Sequence, residues 1–183
     1  MRFSLEESMP MLERTPRVVR SLLQFLPEAW THRNYGANAD GSPTWSAQEI
    51  VGHLIWADQT DWLPRARHIL EFGDSRPFEA FDRNGQRSLL QGKTLHRLLD
   101  EFDQSRRESL AGLKSLQLTD ADLARRGLHP ALGPATMGNL LSMWVVHDLN
   151  HIAQICKAMS YQYKESVGPW EAYASILSPP APR

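Results

Sequence analysis

Residues 144–155 read WVVHDLNHIAQI, twelve positions in which two histidines stand four apart within an apolar helical pattern. A helix turns once every ~3.6 residues, so His147 and His151 lie one above the other on one face. At 100° per residue they share that face with Leu140, Trp144, Ile155 and Ala158, which the pattern turns inward. Two imidazoles facing a core need partners, because an unpaired buried polar group is costly. A metal ion would satisfy both at once; a separate hydrogen bond to each is the alternative. Seven histidines in 183 residues give such a pair by composition in roughly one chain in five, so the apolar setting carries the argument rather than the spacing.

Two imidazoles do not complete a tight divalent site, and a third ligand is expected from another helix. His53, in EIVGHLIWADQ, is the candidate. It lies about two turns into the most clearly signalled helix of the chain, among Ile50, Trp56 and Ala57, and so can also look inward. In that helix Ser46 and Glu49 form an S-x-x-E capping box, with Trp45 and Ile50 placed as the hydrophobic staple. Pro64 should end or kink it.

Three further helices can be read. TPRVVRSLLQFL is expected to start at Thr15 as N-cap with Pro16 in the first position, and to present Val18, Val19, Leu22, Leu23 and Leu26. TLHRLLDEFDQSRRESLAGLKSL carries an apolar stripe of Leu95, Leu98, Leu99, Phe102, Leu110 and Leu113 opposite a charged face. After a capped turn, TDAD, and a loop, RRGLHPALGPAT, the last helix runs from near Thr136 to about Tyr161. Alternating strand patterns are almost absent. The expected fold is all-α, a four-helix bundle with long crossover connections, an architecture whose interior commonly hosts metal sites. One domain over residues 1–177 and a fraying tail, SPPAPR, at 178–183 complete the expectation.

Composition narrows the function classes. A formal net charge of −1 and scattered arginines (Arg14, Arg17, Arg20, Arg106, Arg107, Arg125, Arg126), read as solvated surface, argue against nucleic acid. MRFSLEESMP lacks the apolar core of a signal peptide, and no run approaches the ~20 apolar residues that span a bilayer. A cytoplasmic protein, without membrane partners, is the expectation. The lone Cys156 has no internal partner and points about 140–180° from the histidine face, as a small packing residue would.

Other histidine chemistries can be tested on the same residues. A zincin needs H-E-x-x-H, whereas HDLNH places Asp148 where that glutamate would stand. No glutamate stands three before a histidine, which removes the E-x-x-H di-iron motif. His147-Asp148 matches the HD phosphohydrolase dipeptide, but no aspartate follows downstream. His32 and His129 fall in loops, His68 near a helix end, and His96 among charged residues; surface positions account for all four.

Together, TPRVVRSLLQFLPEAW, WSAQEIVGHLIWAD, HPALGPATMGNLLSMWVVHDLNHIAQI and VGPWEAYASIL resemble the DinB/YfiT-like superfamily of metal-dependent hydrolases and thiol transferases, over almost the whole chain. The most specific parts are the histidine after a W-S-x-x-E helix start and H-x-x-x-H-x-x-Q in the last helix, here His53 and His147, His151 and Gln154. The resemblance implies an up-up-down-down type bundle, a three-histidine site for a divalent metal such as zinc or nickel, and a homodimer. It also implies a small-molecule substrate, with a low-molecular-weight thiol where the reaction is thiol transfer; no substrate residue carries over.

Three neutral histidines leave an ion its full charge and at least one open position, the arrangement of catalytic rather than structural sites. That supports hydrolysis or thiol transfer without choosing between them. Gln154 and Glu49 are second-rank catalytic or orienting candidates, each one turn from a ligand, although the capping box already accounts for Glu49. Asp58 and Asp148 point roughly 80–140° off the ligand face. Trp56 and Trp144 flank the ligands as core residues or as pocket walls. The alternative to an enzyme is a non-catalytic metal-binding or interaction bundle, distinguished by a closed site with a fourth protein ligand.

Overall fold

The computed structural model describes residues 3–38 and 41–178. In chain order these form α1 (Leu5–Leu23), α2 (Glu28–Thr31), α3 (Ala47–Thr60), α4 (Trp62–Phe72), α5 (Gln86–Leu90), α6 (Leu95–Ser115), α7 (Asp120–Ala124), β1 (Arg126–His129), β2 (Gly133–Thr136) and α8 (Met137–Ser160), followed by three short 3₁₀ turns between Tyr161 and Leu177. The long helices α1, α3, α6 and α8 make the bundle; α3 packs on α6 and α8, and α1 also packs on α6 and α8. Most of the expected fraying tail, from residue 179 on, lies outside the described residues.

Local chemistry sets the helix starts. Ser46 Oγ accepts from Glu49 N at 3.3 Å while Glu49 Oε2 accepts from Ser46 N at 2.8 Å, closing the expected capping box of α3. Thr136 and Asn139 close a similar box at the start of α8, and Thr94 caps α6. Pro64 has no N–H for the carbonyl of Thr60, and the chain breaks there into α3 and α4.

The first helix starts earlier than the sequence pattern suggests. Ser4 is its N-cap, with Glu6 and Glu7 in its first turn, and Thr15 and Pro16 lie in its interior. Pro16 lacks the N–H that would bond to Leu12 O, four residues back. The guanidinium of Arg106 supplies the missing donor, with Nη1 at 2.9 Å from Leu12 O. A tertiary contact therefore carries the helix past a residue that would otherwise end it.

Arg106 is 1% exposed, so it departs from the solvated role expected of the arginines. Its Nε donates to Asp58 Oδ2 at 2.8 Å, its Nη2 to Asp148 Oδ1 at 3.0 Å, and its Nη1 also to Asp148 Oδ2. Phe102 and Trp144 face the guanidinium, each ring centroid 5.2 Å away. One side chain of α6 is thereby bonded to α1, α3 and α8. The expected loop at 125–136 is instead a β-hairpin in which Arg126 pairs with Thr136 and His129 with Gly133. His129 Nδ1 accepts from the backbone N–H groups of Ala131 and Leu132, and Gly133 at φ 79° supplies the left-handed turn residue. Strands of four residues, one of them containing Pro134, leave no alternation to read.

Removing the guanidinium would strand two buried carboxylates. Arg106→Met is expected to cost about 3–5 kcal/mol of unfolding free energy, read as a large drop in the urea midpoint. An unchanged midpoint would mean that the network does not tie the helices together.

Candidate metal centre

His53 stands on the second turn of α3, and His147 and His151 stand on α8. The bundle brings all three together, with one ring nitrogen from each lying within 4.8 Å of the others. His53 Nε2 and His147 Nε2 are 3.0 Å apart, and the ring centroids are separated by 5.1 Å (His53 and His147), 4.6 Å (His53 and His151) and 4.3 Å (His147 and His151). Two nitrogens bound to one zinc-sized ion at ~2.1 Å would stand roughly 3.0–3.5 Å apart, so the first pair already has the spacing of a shared ion.

The protonation states suit such an ion. Burial, reinforced by His151 and His147, lowers the pKa of His53 from 6.5 to about 3. Burial beside His147 lowers that of His151 to about 4. Both imidazoles are therefore neutral at physiological pH, the form that donates a lone pair. His151 Nδ1 donates to Gln154 Oε1 at 2.8 Å, which leaves Nε2 as the free lone pair. Gln154 Nε2 in turn donates to Tyr35 Oη at 3.4 Å. Among the described residues, buried His53 Nδ1 and His147 Nδ1 have no hydrogen-bond partner, and Asp148 Oδ1 is 3.9 Å from the latter. A hydrogen bond accounts for His151 Nδ1, and the 3.0 Å contact of His53 Nε2 with His147 Nε2 has the length of a hydrogen bond as well as the spacing of a shared ion, while the two Nδ1 atoms are met by neither. The donor set fits a divalent ion.

Aromatic rings enclose the triad. Trp45 lies 4.7 Å from His53 and 6.3 Å from His151, Phe81 meets His53 edge-on at 5.7 Å, and Trp62 meets His147 edge-on at 5.0 Å. Trp144 is core, stacked on Trp62 at 5.9 Å, and Trp56 uses its indole N–H on Asp82 O at 2.9 Å. Sequence reasoning cast Trp45 as a staple only. Its place just before the cap, on the face that leads through Ile50 to His53, was the available signal. Tyr35 and Phe81 come from the long connections, where no periodicity points inward. Of the two second-rank candidates, Gln154 reaches a ligand, whereas the Glu49 carboxylate is engaged at the helix cap. Asp58 and Asp148 turn away from the triad to Arg106.

The fold and the site together define a helical bundle with a three-histidine centre bridging two of its helices. Residues 11–155 match the family model of the DinB superfamily, and the chain belongs to that superfamily. Among solved structures it is similar to YfiT from Bacillus subtilis, described as a probable metal-dependent hydrolase with an unusual four-helix bundle topology. The two share 19% identity at a TM-score of 0.66, covering 88% of this chain and 86% of that one. No curated protein sequence gives a match.

The lowered histidine pKa values have a stability consequence of definite sign. As pH falls below about 6.5 the unfolded chain takes up protons that buried His53 and His151 refuse, so stability is lost down through about 4 and 3. Asp58, raised from 3.8 to about 6 by burial, acts oppositely between those two values, because there the folded state binds the proton first. In metal-free protein, the urea midpoint of the wild type should fall more steeply from pH 7 to pH 4 than that of His53→Asn. Parallel curves would show that His53 is not desolvated.

Proposed function

We propose that this protein is a metal-dependent enzyme, a hydrolase or thiol S-transferase, whose divalent ion is held by His53, His147 and His151. The observation that carries the reading is the convergence from α3 and α8 of three imidazoles with one ring nitrogen each within 4.8 Å of the others, His53 and His151 being neutral by burial. The description of YfiT as a probable metal-dependent hydrolase supports it. Zinc or nickel is the ion proposed, since imidazole nitrogen suits both. We further propose a small-molecule substrate, with a low-molecular-weight thiol in the transferase case, and a homodimer.

When bound, a divalent ion supplies a positive charge that polarises a substrate and lowers the pKa of a water or thiol toward neutrality. The chain's own residues prepare its place. The neutral imidazoles of His53 and His151 offer lone pairs without competing protons, and Gln154 fixes the tautomer and tilt of His151. Trp45, Phe81 and Trp62 exclude water from the ring edges, which strengthens every charge interaction between them. The aspartates nearest in sequence, Asp58 and Asp148, are held by Arg106, so they are not offered as ligands. Three protein donors leave room in the coordination shell for a reactant, which favours the enzyme over a closed structural site.

Elemental analysis of untagged protein beside His53→Ala and His147→Ala checks the site from both helices. Near-stoichiometric metal in the wild type and its loss in both variants is the expected result. Gln154→Leu should retain the site with roughly 10–100-fold weaker affinity. A wild type that holds no ion even after soaking in zinc or nickel would end the enzymatic reading.

A further inference from the structure

Residues 82–85, in the connection between α4 and α5, read DRNG. Aspartate first and glycine fourth are the signature of a tight type I turn. Gly85 N donates to Asp82 O at 3.3 Å, and Asn84 N donates to Asp82 Oδ1 at 2.8 Å. The turn is also fixed from outside. The indole N–H of Trp56 donates to Asp82 O at 2.9 Å, and Gly85 lies so flat on that indole that a Cβ would stand 2.2 Å from Trp56 Cε2. Phe81, immediately before the turn, touches His53 edge-on. Trp56 is three residues on from the same histidine, so the turn is held at both ends beside the triad.

Arg83 occupies the corner of this turn and is exposed. Among the described residues it has no hydrogen bond and no ion pair, whereas Arg65 is paired with Asp61 and Arg106 with Asp58 and Asp148. Two half-buried rings face His53 beside this turn: Phe81, two residues before the arginine, at 5.7 Å, and Trp45 at 4.7 Å. A guanidinium with free parallel N–H donors is matched to a planar carboxylate.

Resting on the reading of the triad as a metal centre, we propose that Arg83 is the substrate-recognition residue of the site. It takes the carboxylate of a small molecule whose apolar body lies against Phe81 and Trp45 and whose reacting end reaches the three histidines. The fixed backbone places the base of the arginine before substrate arrives, so only its side-chain rotamers remain to be ordered on binding. Specificity then lies in the connection at 81–85, outside the helices that carry the ligands.

The test uses full-length protein loaded with cobalt and two probes, 3-mercaptopropionate and its neutral counterpart 3-mercapto-1-propanol, titrated by thiolate-to-cobalt absorption. Wild type should bind the carboxylate probe about ten-fold more tightly than the neutral one, as a charge-assisted contact predicts. Arg83→Gln should lose that preference through the carboxylate probe alone, while Arg87→Gln, on the neighbouring exposed arginine, should keep it. Equal affinities in wild type, a preference that survives Arg83→Gln, or one lost equally in Arg87→Gln would overturn the proposal. Failure of the protein to take up cobalt, read by elemental analysis before any probe is added, would instead bring down the metal reading and the proposal with it.

Discussion

One buried positive charge organises this bundle. The guanidinium of Arg106, reached from α6, bonds to Asp58 on α3, to Asp148 on α8 and to the Leu12 carbonyl that Pro16 leaves free on α1. Burying an ion costs several kcal/mol unless its donors are matched, and here the matching acceptors are distributed one helix apiece. The arrangement fixes relative helix positions as well as stability. Its charges are unequal, one guanidinium between two carboxylates, and the imbalance falls on Asp58, whose pKa burial raises to about 6, while the paired Arg106 keeps Asp148 below the usual range.

The site depends on that tie. His147 adjoins Asp148, and His53 precedes Asp58 by little more than a turn of α3, so the contact that draws the two aspartates to Arg106 also sets the gap between their histidine neighbours. The apolar core divides around this level. One cluster gathers Leu12, Trp62, Leu110, Leu113, Leu141 and Trp144; the other gathers Val19, Leu23, Ile50, Leu54, Phe102 and Ile155. Each fully buried large side chain contributes about 1.5–3 kcal/mol. The two clusters hold in place a polar layer that could not hold itself. Desolvation by that surrounding core is also what keeps His53 and His151 uncharged.

The three histidines and the rings around them belong to different parts of the chain. The histidines ride on the long helices α3 and α8, the rigid elements on which a site is held most precisely. The surfaces that face them, Tyr35, Trp45 and Phe81, come from or adjoin the long connections, which can change without disturbing the bundle. Trp56 joins the two parts, because it belongs to the helix that carries His53 and its indole N–H holds the turn bearing Arg83.

The sequence by itself determined the helices that carry the site and which of their faces look inward. Capping residues at Ser46, Thr94 and Thr136, apolar periodicity, and the four-residue spacing of His147 and His151 are local properties and can be read along the chain. Even the partner on another helix, His53, was legible, because an imidazole on an inward face must find company there. Tertiary structure decided what local rules could not. Pro16 reads as a helix start until Arg106 donates to the carbonyl it frees, and Arg106 reads as surface until two aspartates from distant helices meet it. The hairpin at 126–136 has too few residues and too much proline to show an alternating pattern. Tyr35, Phe81 and Arg83 lie in connections, whose paths are set by what they touch across space rather than by any period of their own.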